Sequence, residues 1–357
     1  MRVKVALMVV AAAIAAVVLA TRGAGIAEEP FFDAAKWHHA PTGFRNPRGS
    51  VERNRPFLGF APFFWRRMTQ GTETAKFPPD HLVARADALA MLEAAPPDGR
   101  LTWVGHATFL IGLDGLNILT DPFFSEHASP LPPLGPRRSA PPGLAIEDLP
   151  RIDVVLVSHN HYDSFDAATL RALAGRNPDA HVLVPLGLGA SLRELGFSRV
   201  VELDWYDHAA LGKADFQAIP AIHTSSRSIL DLDHTLWAGF AMTSPRLRLV
   251  FTGDTGFGPV FEAIRERIGA VDVALVPIGA YEPRRLMGPV HTNPEQAAEI
   301  ARTLGAKLAI GMHWGTIRLS DEPMMEPKER FLAVDLPGLE TRVLRIGETV
   351  SLEAGAR

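Results

Sequence analysis

Cysteine is absent from the 357 residues. Disulfides, thiolate metal ligands and a cysteine nucleophile are thereby excluded, while an oxidising compartment stays compatible with the chain. A basic excess is missing too: 36 lysines and arginines stand against 40 acidic residues, for a net charge of −4 and a pI near 6.4. Nucleic acid is therefore not an expected partner, because a general nucleic-acid binder carries a basic excess. The apolar run Val5–Ala20 falls short of the ~20 residues that span a bilayer comfortably. Arg2 and Lys4 precede it and Val18-Leu19-Ala20 ends it. It reads as a secretory signal, cleaved after Ala20 or Ala27, with an uncleaved membrane anchor as the alternative. The expected location is exported: periplasmic, or membrane-associated through this segment.

What is present divides into three stretches. Residues 1–27 are the signal or anchor. Residues 28–95 are a proline-rich arm of irregular pattern, with the aromatic cluster Phe57, Phe60, Phe63, Phe64 and Trp65 followed by Arg66 and Arg67. Such an arm packs its aromatics on the main domain. Alternatively it faces a membrane, with rings at the lipid interface and arginines at headgroup level. Residues 96–357 read as one catalytic-type domain. Thr108–Leu113, Asp114-Gly115 and Leu116–Thr120 form a strand, a two-residue turn and a strand, a strong hairpin signal. Apolar strand-like runs follow at 153–157, 181–185, 215–219, 235–242, 247–252, 271–276 and 307–312. Helical stretches fall between them at 166–174, 188–195, 259–268 and 294–304. The last has Asn293 as N-cap, Pro294 at the first position and Gln296 at the third. The alternation predicts an α/β architecture of layered sheets with outer helices.

The chemistry concentrates in Ser158-His159-Asn160-His161-Tyr162-Asp163-Ser164, directly after the buried-strand pattern Val154–Val157. In an extended chain, residues i, i+2 and i+4 share one side, so His159, His161 and Asp163 are expected to converge. Two imidazoles and a carboxylate suit zinc without any thiolate. A polar loop with hydrogen-bonded histidines is the plainer reading. Three further strand-like runs end in His223, Asp254 and His313, and sites commonly form along an edge where strands end. Each residue alone is as readily structural; together they favour a metal site. Gly253 and Gly256 beside Asp254 are expected to let the backbone approach a ligand closely.

With these residues in view, the chain resembles the metallo-β-lactamase-fold hydrolases. Within them it is most similar to the N-acylphosphatidylethanolamine-hydrolysing phospholipase D group and its bacterial relatives. The resemblance covers about residues 100–330. Its matching stretches are Thr102–Thr108, Leu119–Pro122, Ser158–Asp166, Glu202–Trp205, Phe251–Gly256, Pro277–Arg284 and His313–Thr316. It implies an αββα sandwich of two packed mixed sheets, with zinc at one edge. By position, His159, His161 and His223 would hold a first zinc and Asp254 would bridge to a second, which Asp163 and His313 complete. His291 matches a histidine near the substrate phosphate; a loop histidine bonded to backbone is its alternative. His106 and Asp121 would fix ligand geometry from outside. The sequence departs from the family at Ser164, where a histidine ligand of the second metal is expected, and a serine hydroxyl is a poor substitute. Asp166, nearby, more naturally starts the helix that follows.

The expected activity is metal-assisted hydrolysis of a phosphodiester, with a phospholipid or other small phosphodiester as substrate and peripheral contact with a membrane. Asp163 would orient the nucleophile and accept its proton, and His291 would donate toward the phosphate or the leaving oxygen. Two alternatives stand beside it. One is a metal-dependent esterase or lactonase on the same fold. The other is a metal-binding, membrane-associated protein with little catalysis, its site weakened at Ser164.

Overall fold

The structure is a computed structural model that describes residues 30–52, 77–228 and 230–352. The N-terminal segment 1–27 and the aromatic–arginine cluster at 57–67 lie outside the described residues. The arm begins with a small hairpin, β1 (His39–Ala40) and β2 (Gly43–Phe44), and later forms α1 (Arg85–Ala94). That helix corrects the reading of 28–95 as irregular. Its sequence RADALAMLEA is alanine-rich, and only Ala88 and Leu92 are buried. It therefore has a good helix former without the apolar periodicity that announces a helix.

The first sheet holds β3 (Arg100–Gly105), β4 (Thr108–Leu113), β5 (Leu116–Thr120), β6 (Val154–Leu156), β7 (His181–Pro185), β8 (Arg199–Leu203) and β16 (Thr349–Ser351), in the order β16-β3-β4-β5-β6-β7-β8. The second holds β9 (His208–Leu211), β10 (Ala214–Pro220), β11 (Ala238–Thr243), β12 (Arg248–Phe251), β13 (Val273–Pro277), β14 (Leu308–Met312) and β15 (Glu340–Arg342), in the order β15-β14-β13-β12-β11-β10-β9. Both are mixed: β5 to β8 and β12 to β15 run parallel, and the remaining pairs are antiparallel. The β4–β5 hairpin closes with Leu113 opposite Leu116, and Asp114 and Gly115 both have positive φ, as a two-residue turn requires.

Alternation along the strands makes the layers. Phe109, Ile111 and Leu113 of β4 join the core between the sheets, while Leu110 faces the outer core with α2 (Ala167–Arg176) and α3 (Gly189–Glu194). The second sheet is covered by α4 (Val260–Ile268) and α6 (Pro294–Thr303), with α5 (Arg284–Met287) ahead of α6 and α7 (Glu326–Leu332) packed on it. The Asn293–Gln296 capping box opens α6 as the sequence predicts. The αββα sandwich is thus the observed architecture.

Pairing direction decides where the strands end. β3, β5 and β6 point the same way, because β4 is antiparallel to both β3 and β5 and β5 is parallel to β6. By the same logic β10, β12, β13 and β14 share a direction. Both sets therefore deliver their following residues to one edge of the sandwich.

The arm is tied to this sandwich by a buried carboxylate. Asp204 accepts from Lys36 Nζ at 2.5 Å, His38 Nε2 at 2.7 Å and His39 Nε2 at 2.9 Å. The His38 ring stacks on Trp205 at 4.4 Å. Burial pushes the Asp204 carboxyl up, but the hydrogen bonds from His38 and Lys36 outweigh it and hold the group well below the usual carboxylate range. A depressed folded value contributes stability above the unfolded pKa of about 4, lost as pH falls toward the folded value. Lys36 is partly solvated, so Asp204→Asn is expected to cost about 1–3 kcal/mol in denaturant unfolding at pH 7. The gap between variant and wild type should narrow as the unfolding is repeated below pH 4; a constant gap would show that the carboxylate charge is not the cause.

Candidate metal centre

His159 and His161 follow β6, His223 follows β10, and their ring nitrogens meet. His159 Nε2 lies 2.9 Å from His161 Nδ1, and His223 Nε2 lies 3.2 Å from the same atom. Two donors at tetrahedral corners about 2.0–2.1 Å from a zinc ion are about 3.3 Å apart. The three rings thus already stand near ligand spacing, and one atom from each lies within 4.8 Å of the others.

Two of the rings are aimed by a neighbour. His223 Nδ1 donates to the Val290 carbonyl at 2.9 Å, which leaves Nε2 with its lone pair facing the cluster. His159 Nδ1 lies 2.8 Å from Ser158 Oγ, and Asp121 accepts from Ser158 Oγ at 2.6 Å and from Ser158 N at 2.7 Å. Burial pushes the Asp121 carboxyl up to about 8. A cation in the cluster favours its ionised form. Ser158 Oγ then donates to Asp121 and accepts from His159 Nδ1–H, freeing His159 Nε2 as a donor atom. Gly253 has φ +59°, and a Cβ there would lie 2.8 Å from Ser158 Cβ. The close backbone approach expected beside Asp254 is therefore made to the residue that orients His159.

Asp163 departs from the expectation that it would converge with His159 and His161. The chain turns after His161, whose carbonyl accepts from Ser164 N at 3.1 Å and Phe165 N at 2.7 Å. That turn breaks the i, i+2, i+4 alternation. Asp163 Oδ2 points instead to His106 Nε2 at 2.9 Å and His313 Nε2 at 3.3 Å. Asp254 Oδ2 joins the two groups, 3.0 Å from His313 Nε2 and 3.8 Å from both His159 Nε2 and His223 Nε2. His291 also arrives: one of its ring nitrogens lies within 4.8 Å of donor atoms of His223 and Asp254. All the residues singled out by the sequence as site residues thus meet at one edge. Asp166 does not join them. It caps α2, accepting from Ala168 N and Thr169 N, and also accepts from Ser125 N at 2.9 Å and Thr169 Oγ1 at 2.6 Å. Ser164 is fully buried beside Asp121.

The charges fit a cation. Burial, then the charge of His161, lowers the His159 imidazole to about 3, and His223 is lowered well below its ordinary value for the same first reason. Neutral imidazoles are the form that ligates. Burial also acts to lower His313, but Asp254 and Asp163 outweigh it and raise that ring to about 10. Without a metal, a proton on His313 balances the two carboxylates; a cation between them can replace it. Asp254 Oδ1 and the Nδ1 atoms of His106, His291 and His313 are buried without a hydrogen-bond partner.

Two supporting residues left no mark in the sequence. Asn46 of the arm brackets His223, accepting from its N–H at 2.8 Å and donating to its carbonyl at 2.9 Å. Arg227 similarly pins the metal-motif loop, donating to the Asn160 and Phe165 carbonyls at 2.8 and 2.9 Å beneath the Tyr162 ring.

Residues 116–314 match the beta-lactamase superfamily domain. The chain belongs to the beta-lactamase superfamily. It is 39% identical, over 64% of its length and 67% of the relative's, to N-acyl-phosphatidylethanolamine-hydrolyzing phospholipase D 1 of Caenorhabditis elegans. A metallo hydrolase from the hyperthermophilic archaeon Ignicoccus hospitalis superposes with a TM-score of 0.53 at 23% identity, covering 71% of this chain and 98% of that one. CmlA, a diiron beta-hydroxylase from Streptomyces venezuelae, superposes with a TM-score of 0.55 at 25% identity, covering 72% and 55%. The chain is a metal-dependent hydrolase of this fold, with candidate histidine and aspartate metal sites. Dialysis against a strong chelator is expected to remove its hydrolase activity, and a divalent ion to restore it. Undiminished turnover in metal-free protein would contradict this assignment.

Proposed function

We propose that the protein is a zinc-dependent phosphodiesterase of phospholipase D type, acting on N-acylphosphatidylethanolamine-like phospholipids. The observation that carries the reading is the pair of donor clusters joined through Asp254 Oδ2. The 39% identity to a nematode enzyme named for that reaction supports it. His159, His161 and His223 would hold one ion, and Asp163, Asp254 and His313 a second. Bound there, the ions would supply a nucleophile from water at neutral pH and positive charge facing the phosphoryl oxygens.

The chain's own residues then have separate tasks. Asp163 orients the attacking water and accepts its proton, being held ionised: burial pushes it up, but His106 and His313 outweigh burial and lower it well below the usual carboxylate range. Burial lowers His291 to about 4, against the charge of Asp254. At pH 7 it is therefore a neutral N–H donor. It directs that hydrogen toward a phosphate or leaving oxygen, and a negative charge arriving beside it raises its affinity for a proton. Attack at phosphorus breaks the bond to the head-group oxygen, giving phosphatidic acid and an N-acylethanolamine.

The exported or membrane-associated location and the peripheral contact with a lipid surface belong to this proposal. They are supported by the basic-then-apolar segment at 2–20 and by the aromatic–arginine run at 57–67.

The test is turnover of N-acylphosphatidylethanolamine vesicles against a panel of carboxylic esters and lactones. Preference for the phosphodiester is expected, and a preference for lactones would move the protein to the ester-cleaving reading. His159→Ala should reduce phosphodiester turnover to background and lower the metal content. Ser158→Ala, which frees the His159 ring to rotate, should weaken metal binding about 10-fold or more in a competition titration. Unchanged affinity would show that Ser158 does not aim the ring.

A further inference from the structure

We propose that His106 is itself a ligand of the second metal, completing the site that Ser164 leaves one donor short. This rests on the two-metal reading of the proposed function. His106 Nε2 is 2.9 Å from Asp163 Oδ2, and His313 Nε2 is 3.3 Å from that same oxygen and 3.0 Å from Asp254 Oδ2. Donor atoms of His106, Asp163 and His313 lie mutually within 4.8 Å. These separations of 2.9 to 3.3 Å lie at or slightly inside the edge of about 3.3 Å expected for donors around a tetrahedral zinc ion. With Asp254 the set is two imidazole nitrogens and two carboxylate oxygens. It needs nothing from position 164, where the side chain is buried beside Asp121.

The backbone supports a fixed ring. His106 has φ +57° and His313 φ +61°, a region side-chain-bearing residues seldom adopt. His106 N donates to Thr316 Oγ1 at 2.9 Å, and the His106 carbonyl accepts from Trp103 Nε1 at 2.9 Å and from His313 N at 3.0 Å. Residues held in such conformations by several bonds cluster at functional sites. The hydrogen bond from His313 N to the His106 carbonyl also couples the two histidines through their main chains. Their rings lie 4.0 Å apart, centroid to centroid.

The competing arrangement has His106 donate Nε2–H to Asp163 and stay outside the coordination sphere. His106 Nδ1 lacks a partner either way, so the decision falls to a substitution that keeps the hydrogen bond and removes the ligand. His106→Gln does this, because its amide still donates to Asp163 but binds zinc poorly. The full chain and variants are dialysed against trace zinc, and metal per chain is read by elemental analysis, with circular dichroism checking the fold. We expect about two ions for wild type, about one for His106→Gln, and about two again for His106→Gln with Ser164→His. Two ions in His106→Gln would overturn the inference. One ion in wild type would overturn it as well, leaving a mononuclear hydrolase intact, whereas no ion at all would also sink the proposed function. If His106→Gln does not fold, Ser164→His with His106→Ala takes its place, and failure of that pair to hold about two ions overturns the inference.

Discussion

Two carboxylates, Asp163 and Asp254, are buried at one edge of the sandwich, and much of the structure follows from keeping them there. An ionised carboxylate taken out of water costs several kcal/mol unless charge and hydrogen bonds return to it. Burial pushes both groups up; contacts with His313 and, for Asp163, His106 bring both well below the ordinary range. Rings that could repay a carboxylate in this way must themselves be buried, rigid and aimed. Burial, helped by the charge of neighbouring histidines, keeps His159 and His223 neutral. A site with neutral rings on one side and carboxylates on the other accommodates cations better than it accommodates water.

The sheet topology provides the aim. Strands β3, β5 and β6 of one sheet and β10, β12, β13 and β14 of the other deliver their successors to a common edge. The residues just past the strands are where the backbone departs from ordinary conformations: His106, Asp121 and His313 all have positive φ. Such conformations persist only when their surroundings over-determine them. At His106 the surroundings are three hydrogen bonds to its own peptide groups; at Asp121 they include Ser158 N and Oγ. The strain is thus spent on direction, turning each side chain inward at the end of a strand that would otherwise run on toward solvent.

This explains what the sequence could and could not reveal. The β4–β5 hairpin, the strand before His159, the caps at Asp166 and Asn293 and the strand ends at His223, Asp254 and His313 are local patterns, and each appears in the fold where the pattern lies. The departures from expectation have separate physical causes. The turn that swings Asp163 away from His161 shows only in the bonds to the His161 carbonyl. Asn46 contacts His223 from 177 residues away, inside a segment with no periodicity to mark it. Helix α1 escapes because alanine supplies helix propensity without supplying an apolar face.

The two clusters also differ in charge, and that difference has chemical consequences for the proposed reaction. The first is built from three neutral rings, so an ion there would keep its full charge toward an anionic substrate. The second adds Asp163 to the shared Asp254, so an ion there would draw an anionic substrate less strongly and acidify a bound water less, while the ionised Asp163 beside it can take up the proton. His291 groups with His223 and Asp254, not with Asp163. The centroid of its ring nonetheless lies 5.0 Å from that of His223 and 5.4 Å from that of His313, so the N–H donor stands beside both clusters. Asp163, the residue proposed to take the proton, contacts His106 and His313. Asp254, touching both clusters through a single oxygen, fixes the distance between these roles, and the shape of the whole strand edge fixes Asp254.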